Sequence, residues 1–181
     1  MRLHPELVVL GYSQAAMFLR RADSPPLAAL ITIHGQREHA LTADGVPHIL
    51  DLAFDDCEAP NPRDLIQAAR LRLRQRENAE TGLRLCPPTP EHARAIVDFA
   101  ESIQNIEGLV LCQCEGGISR SPAAALLCLA AWTGPGMEEY CVEHLLAIRP
   151  CALPHPDLVA FGDELLHREG QLAEALRRFC P

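Results

Sequence analysis

The stretch that decides the fold is LVLCQCEGGISRSPAAALLCLAAWT, Leu109 to Thr133. It opens with Leu109–Cys112, a short apolar run of strand type. Gln113 to Ser121 follow without a proline, with Gly116 and Gly117 in the middle. Pro122 then marks the first turn of an Ala/Leu-rich helix to about Thr133, stopped by Gly134-Pro135-Gly136. Strand, glycine loop and helix N-terminus in this order aim successive backbone N–H groups at one centre, which is how a chain cradles an anion.

Outward from that stretch, the N-terminal half reads as short strands at Leu7–Tyr12, Ala28–His34 and Ile49–Phe54, each bounded by Gly, Pro, Asp or Ser. A helix is predicted over Ser13–Ala22 with Ser13 as its N-cap. Thr89-Pro90-Glu91 opens another, with Thr89 as cap, and Ala95, Ile96, Phe99, Ala100 and Ile103 share one face. Downstream, helices are predicted over Met137–Ile148, Pro156–Leu166 and Gln171–Phe179. Strands alternating with helices, then helices to the end, predict an α/β fold. Its central sheet is mostly parallel and flanked by helices, and the C-terminal half is helical.

The 181 residues suit a single domain, and 48% apolar residues exclude wholesale disorder. With 24 acidic and 16 basic residues, all of the latter Arg, the net charge is −8. That balance argues against general binding to nucleic acid or to a membrane surface. The longest apolar run, Ala123 to Trp132, is ten residues, far short of the roughly 20 that cross a bilayer. The start, MRLHPELVVLGYSQ, is not a secretory leader, so a reducing cytoplasm is expected, with the eight cysteines mostly as thiols. Cysteine and histidine spacings do not suit a structural zinc site. The arginines of Arg63–Arg84 include a helical stretch, Leu65 to about Arg76. Such charge runs face water; the alternative is a rim attracting acidic substrates.

Within the deciding stretch lies Cys114-x5-Arg120. Spacing alone is weak, since composition predicts roughly 0.7 chance matches, and Cys57–Arg63 has the same spacing. There, however, Pro60 and Pro62 delete two donors, and neither strand nor helix flanks the loop in the same way. Around Cys114 the chemistry is coherent. A thiol is a strong nucleophile once ionised, and a helix N-terminus with a nearby guanidinium favours the thiolate. Arg120 holds two phosphoryl oxygens at once through its planar fork. The loop amides and Arg120 suit the spread charge of a phosphoryl transition state. Ser121 is placed to hydrogen-bond the sulfur.

These residues resemble the cysteine-dependent phosphatase superfamily, most closely a bacterial group of dual-specificity-like tyrosine phosphatases. The match rests on CEGGISRSPAAA (Cys114–Ala125), on RPCALPHPDLVAFGDELLHREGQLAEAL (Arg149–Leu176) and, more weakly, on DLAFDD (Asp51–Asp56). The resemblance implies a phosphatase-like domain over 1–181, with about 60–88 as an Arg-rich insertion. It implies hydrolysis of phosphomonoesters, of phosphotyrosine type, on a phosphorylated protein or a small phosphomonoester. Cys114 would be the nucleophile and form a cysteinyl-phosphate. Glu115, Gly116, Gly117, Ile118, Ser119 and Arg120 would bind phosphate, and no metal or cofactor would be needed. The family's spacing selects Asp56, rather than Asp55, as general acid.

The pattern departs from the family at Gln113, where a His usually precedes the nucleophile, and at His155, where related sequences carry Asn. Gln113 motivates an alternative, a non-catalytic phosphate-binding module. An RNA 5′-phosphatase is a further alternative that the acidic charge disfavours. Strand alternation puts Cys112 on the face of Cys114, and Cys57 follows Asp56, so either is a candidate for a reversible disulfide with Cys114. Phe54 and Trp132 are the aromatic residues nearest the site in sequence.

Overall fold

The computed structural model describes residues 4–58, Leu73 and residues 85–179. The expected Arg-rich helix from Leu65 to Arg76, and nearly all of the insertion, lie outside these residues. Four strands form one all-parallel sheet in the order β1 (Glu6–Gly11), β4 (Leu109–Cys114), β2 (Leu27–His34), β3 (His48–Ala53). Six helices accompany them among the described residues: α1 (Tyr12–Arg20), α2 (Pro90–Ile103), α3 (Arg120–Thr133), α4 (Glu138–Ile148), α5 (Pro156–Leu165) and α6 (Gln171–Phe179). The α/β reading from sequence holds, and the sheet is wholly rather than mostly parallel.

The two faces of the sheet are unequal. Alternation along β4 sends Val110, Cys112 and Cys114 into a large core shared with α2 to α6. Leu109 and Leu111 go into a smaller core with Ala15 of α1, Leu27, Leu30 and Leu41. β4 is buried at all six positions because β1 and β2 pair on either side of it. Helix α3 is buried without interruption from Arg120 to Ala130, since the sheet, α2, α4 and α5 surround it. This explains its Ala/Leu composition, apolar on every face. Near the C-terminus, the Asp163 carboxylate accepts the backbone N–H groups of Gly170, Leu172 and Ala173, satisfying donors at the start of α6.

Several boundaries move from their sequence expectation, three of them beside the site. β1 ends at Gly11 rather than Tyr12, because the Tyr12 N–H bonds the Glu115 carbonyl at 3.0 Å and leaves the ladder. The N-cap of α1 is therefore Gly11, not Ser13, and the Gln14 side chain reaches back to accept the Gly11 N–H at 3.2 Å. β4 runs on to Cys114 instead of stopping at Cys112, paired with Gly11 of β1 at its last residue. At α2, Thr89 is the N-cap as expected, with His92 Nδ1 accepting the Thr89 N–H at 3.0 Å. Parallel strands all end at one edge, and Gly11, His34, Ala53 and Cys114 bring the start of α1 and three loops together there. That carboxyl edge is where open α/β sheets bind ligands.

Candidate active site

Cys114 is the last residue of β4 and Arg120 the first of α3, so the five residues between them turn the chain from sheet to helix. All five of their carbonyls are bonded to the surrounding protein. Glu115 O accepts from Tyr12 N at 3.0 Å, Ile118 O from Leu153 N at 2.7 Å and Ser119 O from His155 N at 3.2 Å. Arg149 takes the two glycine carbonyls, with Nε on Gly117 O at 2.9 Å and Nη2 on Gly116 O at 3.3 Å. Its Nη1 rests on Gln14 Oε1 at 3.1 Å. Carbonyls held outward leave the loop amides for the concave side, and Gly116 to Ser119 donate no backbone hydrogen bond among the described residues. This is the arrangement of an anion-binding nest.

One glycine makes the turn possible. Gly117 has φ of 65°, and a Cβ there would collide with Gly11 N and lie 2.6 Å from Leu10 C. Gly116 is different: a Cβ would meet only Ile118 side-chain atoms, at 3.7 Å and beyond. The sequence treated the two as equals.

The Cys114 sulfur is buried and receives the Ser121 hydroxyl at 3.1 Å. Arg120, 2% exposed, is gripped by a residue that sequence reading did not single out. Its Nη1 and Nη2 donate to Glu38 Oε2 and Oε1 at 2.7 and 2.8 Å, and Nη1 also donates to Phe54 O at 3.1 Å. A guanidinium has two bidentate edges. Glu38 fills the end-on edge of Nη1 and Nη2. The side-on edge of Nε and Nη2 remains, and its Nε is buried without a partner among the described residues. Burial alone would lower the Arg120 pKa; the hydrogen bond and charge of Glu38 outweigh it and raise it, with Cys114 and Asp56 adding to the effect. For Glu38, burial pulls upward, and the bonds from Arg120 and the Gly35 N–H bring its carboxyl below the ordinary value. Both partners are thus held charged.

The adjacent acids of DLAFDD part company. Asp55 accepts backbone N–H groups from Gln36 at 3.2 Å and Cys86 at 2.8 Å, so it ties loops together. Asp56 turns to the phosphate loop: its Oδ1 accepts the Ser119 hydroxyl at 2.7 Å and lies 3.9 Å from His155 Nε2. Its side chain remains 46% exposed. No family model matches the chain, and no curated protein matches it.

Gln113 points away from the sulfur. Its Oε1 accepts the Thr32 hydroxyl at 2.8 Å, and Thr32 Oγ1 in turn accepts the Leu41 N–H at 3.2 Å. Alternation was the available signal: Cys112 and Cys114 on one face put Gln113 on the other. No disulfide joins any of the seven described cysteines. Cys112 has its thiol pKa pushed well up by the hydrogen bond with Cys128, by burial, and by the charges of Cys128 and Cys114. Neither aromatic candidate is free to line the loop. Phe54 is buried against the His92 ring, with centroids 4.7 Å apart. Trp132 sits at the far end of α3, where Nε1 bonds Ala100 O at 2.8 Å. Glu38 and Arg149 carried no local signal beyond position: one lies past the carboxyl end of β2, the other past α4.

Proposed function

We propose that this chain is a cysteine-dependent phosphatase, hydrolysing phosphomonoesters of phosphotyrosine type through a cysteinyl-phosphate. The observation that carries the reading is the Arg120 Nε left without a partner among the described residues, at the end of a loop whose five carbonyls are all engaged and whose first flanking residue, Cys114, has its sulfur bonded by the Ser121 hydroxyl. Two guanidinium donors and the loop amides match the three non-bridging oxygens of a phosphoryl group in number and charge.

The Cys114 thiolate attacks phosphorus, forming the S–P bond as the P–O bond to the leaving group breaks. Asp56 supplies a proton to the departing oxygen. A water molecule then attacks phosphorus, Asp56 takes its proton, and the S–P bond breaks to give inorganic phosphate. The Ser121 hydroxyl, 3.1 Å from the sulfur, stabilises the thiolate as it leaves. Arg120 and the amides hold the same oxygens through both steps, so charge is stabilised without rearrangement.

Turnover of para-nitrophenyl phosphate tests the reading. It should be abolished by Cys114→Ser and blocked by vanadate, and acid quenching should trap phosphate on Cys114. The orientation of Gln113 toward Thr32 favours a second reading, a phosphate-binding module without turnover. Tight phosphate or vanadate binding with no hydrolysis would support it. An RNA 5′-phosphatase has the net charge of −8 against it. No helix of the described residues is long and apolar enough to cross a membrane. The cytoplasm, where thiols stay reduced, is the setting we propose for it.

A further inference from the structure

We propose that His155 is a positioning residue that holds Asp56 over the phosphate loop, and that proton delivery to the leaving oxygen depends on it. The inference rests on the phosphatase reading above and extends it to a residue outside the loop motif.

His155 is the N-cap of α5 and only 2% exposed, yet its side chain makes no capping bond to that helix. Caps are ordinarily Ser, Thr, Asp or Asn, whose oxygens accept helix N–H groups. Here the ring is turned elsewhere. Nε2 lies 3.2 Å from the Cys57 carbonyl and 3.9 Å from Asp56 Oδ1. A carbonyl only accepts, so the ring proton resides on Nε2. Nδ1 is buried with no partner among the described residues. Burying an unsatisfied nitrogen is unfavourable, and an apolar side chain would avoid it; the ring is spent on the acid loop instead.

The contacts close a circuit. The His155 N–H donates to Ser119 O, the Ser119 hydroxyl to Asp56 Oδ1, and His155 Nε2 to Cys57 O, next along the chain from Asp56. His155 is thus bonded to both loops at once. Among the described residues the charged group within 4 Å of the ring is Asp56; Asp55, its neighbour in sequence, is turned away to Gln36 and Cys86. The Nε2–H is committed to the Cys57 carbonyl, and Asp56 Oδ1 lies 3.9 Å from the same nitrogen, so the ring acts on Asp56 through the backbone beside it. Fixing the Cys57 carbonyl sets the backbone from which Asp56 projects, and so sets where that proton is offered.

A leaving-group comparison tests this. Phenyl phosphate leaves as a phenol with a pKa of about 10 and needs the acid; para-nitrophenyl phosphate leaves as a far weaker base and needs it little. His155→Ala should lower kcat on phenyl phosphate by on the order of tenfold or more, while para-nitrophenyl phosphate stays within about threefold. KM and vanadate inhibition should not change. His155→Gln, which returns an N–H near the Nε2 position, should restore most of the loss. In an Asp56→Asn background, His155→Ala should add nothing further. Where the alanine variant does not fold, His155→Leu fills the space without a donor and gives the same comparison with Gln. Equal losses on both substrates, additive losses in the double variant, or no loss at all would overturn the proposal. A wild-type protein that turns over neither substrate would instead overturn the phosphatase reading itself.

Discussion

The phosphate loop and the acid loop face each other, but they are held by different means. In the phosphate loop of our proposal, each of the five carbonyls from Glu115 to Ser119 is bonded, to partners drawn from two separate stretches of the chain, Tyr12 and Arg149–His155. In the second loop, the Asp56 carboxylate, the general acid of the proposed reaction, accepts one serine hydroxyl at 2.7 Å and remains half exposed. The first is fixed through its backbone, the second through side chains that can let go. An oxyanion cradle benefits from being built before the substrate arrives. A proton donor has to let a leaving group depart and a water molecule enter, and a detachable mount permits both.

The most damaging break falls on the rigid side. Gly117→Ala forces a Cβ against the end of β1 in a left-handed conformation. Turnover should fall by on the order of 10²–10³, and vanadate binding, followed by calorimetry, should go with it. On the detachable side, Asp56→Asn should lower kcat by about 10²-fold, the usual contribution of a general acid, and leave anion binding intact. The neighbour separates the roles: Asp55→Asn weakens two loop contacts and should cost about 1 kcal/mol of stability with a small effect on kcat. Its thermal melt and rate together make the check. Arg149→Met removes the outer hold on the two glycine carbonyls while keeping side-chain bulk. It should raise KM by about tenfold, one unmade charge-assisted contact, and leave the leaving-group dependence of kcat unchanged.

The smallest effect concerns Glu38 and acid. Its folded pKa is depressed, so its contribution to stability is full above the ordinary carboxylate value and is lost as pH falls through the lower folded value. The melting temperature of Glu38→Gln should therefore lie a few degrees below wild type near neutrality, and the two should converge below about pH 4. A constant gap down to that pH would show that the carboxylate charge does not matter.

Local features were legible in the sequence and distant ones were not. Strand, glycine turn and helix from Leu109 to Thr133 announce themselves because proline, glycine and apolar patterning act within a few residues. The bidentate partner of Arg120 lies 82 residues away in the chain, and nothing in HGQRE beyond its place after a strand marks it. Arg149 was visible as a residue of a matching segment, but its hold on Gly116 and Gly117 depends on how α4 ends. Tyr12 misled because apolar character ran past the true end of β1, where a tertiary bond to Glu115 O, not composition, stops the strand. The division of labour between Asp55 and Asp56 was open to the chemistry of the residues alone, and only the family resemblance leaned toward one of them.

The outer fastenings of the loop have a bearing on biosynthesis. Tyr12 and Gln14 leave the ribosome long before Cys114, but Arg149, Leu153 and His155 emerge well after it. A nascent chain that has exposed its cysteine still lacks the donors that turn the carbonyls at positions 116 to 119 outward. The loop around that cysteine is therefore completed only when the last third of the polypeptide has folded back over the sheet.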